Sequence, residues 1–120
     1  MRVRLNLVVL RAEEPERLAA FYSALGLSFG QHRHGAGPEH WESEKDGMVF
    51  EIYPASPKNR PTAGVRLGFA VEDVAGALDR LVAAGAVVIS GVAESPWGVR
   101  AVIQDPEGHK VELTEPLPAP

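Results

Sequence analysis

Alternating apolar and polar positions predict eight short strands and two amphipathic helices. The first strand is expected to carry its odd-numbered apolar residues on one face. A helix follows from Glu13, because acidic residues and proline suit a first helical turn, and its apolar stripe recurs every three to four positions until Gly26. The strands are predicted over residues 3–10, 28–33, 40–45, 48–53, 64–71, 86–90, 99–104 and 109–114.

The second half of the chain repeats this pattern. Asp73 is expected to cap a second helix that ends at Gly85, 59 residues after Gly26. Glu51 and Glu112 are 61 residues apart, and each follows a turn glycine by four positions on a closing strand. Self-similarity at a fixed period indicates one supersecondary unit used twice. The fold class is therefore predicted to be α+β, with two βαβββ modules.

Turn-forming residues divide the chain. The first module is predicted over residues 1–55 and the second over 64–115. A proline-rich linker, 56–63, separates them, and a loose tail is expected from 116 to 120. Each sheet has one helix for one face, so its other face must meet the second sheet, water or a ligand.

Composition narrows the function classes. The chain has 120 residues, 45% of them hydrophobic and 23% charged, which is ordinary for a soluble globular domain. A net charge of −4 argues against nucleic acid and anionic membranes as partners. Because there is no cysteine, disulfides, thiolate metal sites and cysteine nucleophiles are excluded. No apolar window is long enough for a membrane span or a signal core, so a cytoplasmic protein is expected.

Alternation within the strands predicts a polar constellation on the face away from the helices. A carboxylate flanked by large apolar neighbours in mid-strand is costly unless it is paired or coordinated. The rows expected under the helices are Leu5 and Leu7, Phe50 and Ile52, Leu67 and Phe69, and Val111 and Leu113. The polar residues left on the opposite face are Asn6, Glu51, Arg66 and Glu112.

Three segments, residues 21–27, 69–74 and 105–113, resemble the vicinal-oxygen-chelate superfamily of glyoxalases, extradiol dioxygenases and bleomycin-resistance proteins. The resemblance implies two modules that pair within a chain or swap between two chains, so a homodimer is expected. It also implies a metal site in enzyme members, with four ligands from the first and last strands of each module. The matching residues here are Asn6, Glu51, Arg66 and Glu112.

This sequence departs from that metal pattern at two positions. Asparagine is a poor ligand for a transition metal, and arginine cannot lose its proton to become one. We therefore expect no metal, with the Arg66 guanidinium replacing the metal's charge and bridging Glu51, Glu112 or both. Three interpretations stay open: a structural ion cluster, a ligand-binding cluster, or a site for nickel, zinc, iron or manganese.

Aromatic and polar side chains near the constellation are candidates for a pocket. Trp41, Tyr53 and Trp97 could form its wall, although half-buried loop packing explains Trp97 equally well. Arg100 and Gln104 share a face of the seventh strand and could supply polar contacts, or Arg100 could be a solvated edge charge.

Histidines give a second, weaker signal. His32 and His34 share a face if their segment is a strand, and with Glu39 or Glu42 they could bind a metal. A solvated strand edge is the alternative for this segment, which also holds His40. His109 is expected to contact solvent or to hydrogen-bond its turn.

These observations leave three hypotheses for the function. The first is a metal-free small-molecule-binding protein that uses the cleft between the modules, similar to bleomycin-resistance proteins. The second is a lyase or isomerase similar to glyoxalase, in which Glu51 or Glu112 abstracts a proton next to a carbonyl and Arg66 stabilises the enolate. The third is a dimerising scaffold without a ligand.

Overall fold

A computed structural model describes residues 1–117; the last three positions of the predicted loose tail lie outside the described residues. Neither helix in this part of the chain is long and apolar enough to cross a membrane. The elements are β1 (Leu7–Ala12), α1 (Pro15–Leu25), β2 (Gly30–His32), β3 (His40–Lys45), β4 (Met48–Pro54), β5 (Arg66–Ala70), α2 (Val74–Ala83), β6 (Val87–Ser95), β7 (Gly98–Gln104) and β8 (Lys110–Pro116).

The chain divides into two compact units, Met1–Thr62 (unit 1) and Ala63–Pro120 (unit 2). Each holds one four-stranded mixed sheet, in the order β1-β4-β3-β2 for unit 1 and β5-β8-β7-β6 for unit 2. In both sheets the first strand is parallel to the last, and the other pairs are antiparallel. The predicted α+β class with two βαβββ modules is therefore confirmed.

Helix α1 covers one face of the unit 1 sheet. Phe21 and Tyr22 are almost completely buried on the helix, and Phe50 and Ile52 are buried on β4. The Tyr22 and Phe50 rings meet edge to face with centroids 5.2 Å apart. Burying side chains of this size stabilises the fold by about 1.5–3 kcal/mol each, so this row defines the inner face of the sheet.

The predicted phase of the first strand is wrong. Leu5 lies before β1 and Leu7 is its first residue; their exposed fractions are 70% and 47%. Leu10 and Ala12 are buried instead. Because residues 7–10 are all apolar, alternation alone does not choose a face, and the parallel pairing with β4 makes the even-numbered residues the inner ones.

Helix α2 covers the unit 2 sheet in the same way. The Asp73 carboxylate accepts a hydrogen bond from the Gly76 N–H at 3.0 Å, as its predicted capping role requires. Val111 and Leu113 of β8 are fully buried, in agreement with the sequence. Strand β8 continues to Pro116, two residues beyond its predicted end, and Pro116 lies opposite Gly98.

The β7–β8 turn is held by a buried pair. His109 is fully buried, with Nδ1 2.9 Å from Asp105 Oδ2, and the Asp105 carboxylate also accepts from the backbone N–H groups of Glu107 and His109. Of the two expectations for His109, solvent contact is therefore wrong and hydrogen bonding to the turn is correct.

Candidate functional site

The face of the unit 2 sheet opposite α2 carries the second-half members of the predicted constellation. Strand β8 lies between β5 and β7, with Gly68 on one side of Glu112 and Val102 on the other. Arg66 and Arg100 are each two residues from those partners, so strand alternation puts both on the Glu112 face.

Two guanidinium groups hold the Glu112 carboxylate. Arg66 Nη2 donates to Oε2 at 3.2 Å, and Arg100 Nε donates to Oε1. These hydrogen bonds, first that of Arg100 and then that of Arg66, lower the pKa of Glu112. The expected Arg66–Glu112 ion pair is present, and the cluster carries one more positive than negative charge.

A cavity of about 370 Å³ opens beside this cluster. Glu112 and Arg100 line it together with Trp97, whose side chain is 83% exposed at the tip of the β6–β7 hairpin. The structure thus brings together three of the sequence-predicted site residues. Gln104 is not among the lining residues: it lies at the far end of β7, opposite Lys110.

The corresponding face of unit 1 differs from the prediction at Asn6. Asn6 precedes β1, and the residue in register with Glu51 is Val9. Since Val9 and Asn6 are three positions apart, alternation does not place Asn6 beside Glu51. Its predicted place on the same face as Glu51 is therefore wrong.

The two aromatic candidates of unit 1 are not parts of one open wall. Trp41 is in register with the buried Ile52, and it lines a depression with residues of α1, so it belongs to the helix side of the sheet. Tyr53 does share the face of Glu51, but its ring is stacked on His40 with centroids 4.0 Å apart, and Arg11 lies over it at 4.6 Å.

A histidine and carboxylate cluster occupies this face instead. The β2–β3 register places His32 opposite His40. His34 begins a turn in which the Gly37 N–H donates to the His34 carbonyl, and the His34 ring lies next to the His40 ring. The His34 and His40 Nε2 atoms lie 2.9 and 2.6 Å from Glu42 Oε1. Their hydrogen bonds, that of His34 first, lower the pKa of Glu42 to about 2.

Sequence reasoning missed His40 in this cluster. The signal was available, because His40 and Glu42 are two residues apart on a correctly predicted strand and so share a face. Of the two carboxylates that the sequence left open, Glu42 is in the cluster. Glu39 is bonded to Gln31 and Arg33 outside it.

Glu51 lies next to the cluster in a different electrostatic environment from Glu112. It is in register with Glu42, and His40 Nε2 is 3.6 Å from its Oε2. Burial, together with the neighbouring Glu42 carboxylate, raises the pKa of Glu51. The repeated glutamates are therefore not chemically equivalent.

The four positions that match the ligands of metal-using superfamily members do not fit a metal. Arg66 offers only donors and a permanent positive charge, Arg100 adds a second one at Glu112, and Asn6 is displaced from Glu51. At these four positions Glu112 is flanked by cations and Glu51 has no partner in Asn6, so the set lacks the neutral or anionic co-ligands that a divalent transition-metal ion needs.

Comparisons with known proteins agree with the fold. A family model described as "Glyoxalase-like domain" matches residues 7–114. An uncharacterized protein of Mycolicibacterium smegmatis (strain ATCC 700084 / mc(2)155) is 31% identical over 113 residues, covering 93% of each chain.

Two solved structures share the fold at low identity. The antibiotic binding protein TnmS3 from Streptomyces sp. CB03234 has a TM-score of 0.74 and 22% identity, covering 97% of this chain and 98% of its own. A glyoxalase/bleomycin resistance protein/dioxygenase family enzyme from Burkholderia phytofirmans PsJN has a TM-score of 0.77 and 20% identity, covering 96% of this chain and 100% of its own.

Proposed function

The chain belongs to the glyoxalase-like domain family of the vicinal-oxygen-chelate superfamily, and we propose that it is a binding protein that sequesters a small organic molecule without a metal. The observation that carries the proposal is the unit 2 cavity, which is lined by the exposed Trp97 and by Arg100 and Glu112. The name of TnmS3, an antibiotic binding protein of the same fold, supports small-molecule binding within this architecture.

The lining of the cavity, together with Arg66, which contacts the lining residue Glu112, indicates the chemistry of the ligand. Trp97 presents a large, rigid aromatic surface suited to stacking. Arg66 and Arg100 carry ten N–H donors between them, more than the Glu112 carboxylate can accept. We expect an aromatic ligand bearing an acidic or other hydrogen-bond-accepting group. A volume of about 370 Å³ is at the small end of ligand pockets.

Tryptophan fluorescence tests this proposal. The sequence has two tryptophans, so a Trp41→Phe background leaves Trp97 as the sole reporter. The probes are aromatic carboxylic acids, each paired with its neutral amide. The acids are expected to quench Trp97 fluorescence. Arg100→Ala should lower their affinity by at least about tenfold, because a hydrogen bond to a charged group contributes about 1.5–3 kcal/mol.

Arg17→Ala is the matched control, because Arg17 lies in unit 1, in an exposed pair with Glu14. The Arg17→Ala variant should bind the aromatic carboxylic acids with unchanged affinity. The proposal is contradicted if no probe changes Trp97 emission, or if the two arginine variants weaken binding equally.

The competing enzyme hypothesis centres on Glu51. The arginine pair lowers the pKa of Glu112 and makes it a poor proton acceptor, whereas burial raises the pKa of Glu51 and makes it the better proton acceptor of the two. Turnover of a methylglyoxal–glutathione adduct that disappears in Glu51→Gln would replace sequestration by a lyase or isomerase activity.

We also propose that the protein is a homodimer. Edge strand β6 carries four apolar side chains, Val87, Val88, Ile89 and Val92, that are 45–60% exposed. Apolar edges of this kind are usually covered in the native assembly.

A further inference from the structure

We propose that His34, His40 and Glu42 form a binding site for a divalent transition-metal ion, with zinc as the reference ion. The site lies in unit 1 on the β2–β3 hairpin. It does not depend on the unit 2 cavity, and none of its three ligands occupies a position that matches the superfamily's metal ligands.

The donor atoms already converge. One ligand atom from each of the three residues lies within 4.8 Å of the other two. His34 Nε2 and His40 Nε2 both contact the same carboxylate oxygen, Glu42 Oε1, at 2.9 and 2.6 Å. Zinc binds imidazole nitrogen and carboxylate oxygen at about 2.0–2.2 Å, so tetrahedral ligands are a little over 3 Å apart. Moving each histidine nitrogen away from Glu42 Oε1 by under about 1 Å would give the separation that these bond lengths require.

The hydrogen bonding of His40 favours a cation at this point. Its Nδ1 lies 3.2 Å from the carbonyl oxygen of Pro38, and its Nε2 lies 2.6 Å from Glu42 Oε1. Both neighbours are acceptors, but a neutral imidazole has one N–H donor. With Nδ1–H donating to Pro38, the Nε2 lone pair faces a carboxylate oxygen unless a positive charge stands between them. A metal ion bound to both atoms satisfies every group.

The surroundings of His40 hold it ready for this role. Its side chain is 1% exposed and stacks on Tyr53 with an angle of 7° between the rings. Donation of the second ring N–H to a backbone carbonyl is the arrangement that metal-binding histidines use to fix their tautomer and orientation. The Glu51 carboxylate, with Oε2 3.6 Å from His40 Nε2, adds negative charge next to the site.

The ligand set selects the class of ion. Two imidazoles and one carboxylate suit zinc, nickel, cobalt or iron, whereas calcium and magnesium require mainly oxygen ligands. The His34 side chain is 68% exposed, so the ion would be open to solvent on that side. Three protein ligands leave a coordination position for water or an exogenous ligand.

Equilibrium dialysis against zinc chloride tests the site on the full-length chain after removal of metals with a chelator. The expected result is one zinc ion per chain. His34→Gln should weaken binding at least tenfold, and this exposed residue can change without disturbing the core. Glu42→Gln should do the same. Cobalt in place of zinc should show the visible absorption of a site with nitrogen ligands, and that absorption should be lost in His34→Gln.

Glu39→Gln is the matched control for Glu42→Gln. It removes the same charge from the same hairpin, but Glu39 contacts Gln31 and Arg33 instead of the histidines. Its zinc affinity should equal that of the wild type. The proposal is overturned if the wild type binds no zinc. It is equally overturned if Glu39→Gln and Glu42→Gln lose affinity to the same extent.

Discussion

At the residue scale, two glutamates in equivalent places of a sequence repeat have opposite electrostatic environments. Glu112 is held by two guanidinium groups, while Glu51 faces a second carboxylate, Glu42. The sequence predicted that Arg66 pairs with Glu51, Glu112 or both, because alternation puts these residues on the face away from the helices, and Arg66 pairs with Glu112 in the structure. The partners of Glu51 are Glu42 and His40 of β3, and they follow from the β3–β4 register, which alternation within a single strand does not give.

Glu112 gives a pH-dependent prediction. Its folded-state pKa is lowered by Arg100 and Arg66, so its ion pairs stabilise the protein above the unfolded-state pKa of about 4.3 and are lost as the pH falls through the folded-state value. Glu112→Gln should lower the free energy of unfolding by up to about 1 kcal/mol at pH 7, because the pairs are partly exposed. Denaturant titrations at pH 7 and pH 3 measure the difference, which should be smaller at pH 3.

Glu44→Gln is the control for that measurement, because Glu44 is an exposed carboxylate on β3. It should change stability little at either pH. A Glu112→Gln deficit that is as large at pH 3 as at pH 7 would show that the ion pairs are not its cause.

At the element scale, the inner face of a strand was predicted wrongly where its apolar pattern fitted either face. Strand β1 contains the unbroken apolar run from Leu7 to Leu10, and its inner face is chosen by pairing with β4, which a single strand cannot reveal. Trp41 was misplaced for a related reason: its size suggested a pocket wall, but its register with Ile52 puts it on the helix side. Strands with strict alternation, such as β4 and β8, were predicted with the correct inner face.

The β6–β7 hairpin gives a prediction about backbone conformation. Gly98 has φ +128°, and a Cβ there would overlap the carbonyl oxygen of Glu115 on β8. Gly98→Ala should therefore destabilise the protein by more than about 1 kcal/mol, since an L side chain at this φ is strained even without the overlap. Chemical denaturation measures this loss in the free energy of unfolding. Gly91→Ala is the control, because no atom lies within 4 Å of its added Cβ; equal losses in both variants would contradict the argument.

At the scale of the whole molecule, the duplicated pattern was enough to predict the fold. Each half repeats strand, helix and three strands, and the equivalent glycines, Gly26 and Gly85, both take positive φ where a helix ends. The cavity beside Trp97 was within reach of the sequence because hairpin tips carry exposed aromatic residues to the edge of a sheet. The histidine cluster was predicted in part: His34 and Glu42 were candidate metal ligands, whereas His40 was missed although it shares a strand face with Glu42.

The proposed homodimer is the last prediction and concerns surface that the fold leaves uncovered. An edge strand with exposed apolar residues can pair with its symmetry mate, so that one patch covers another copy of itself. Light scattering after size exclusion should give about twice the chain mass of 12.9 kDa. Ile89→Lys, at 49% exposure on β6, should yield monomers by placing a charge in the interface. Val82→Lys, at 46% exposure on α2, should stay dimeric. A monomeric wild type, or dissociation by both substitutions alike, would mean that β6 is not the interface.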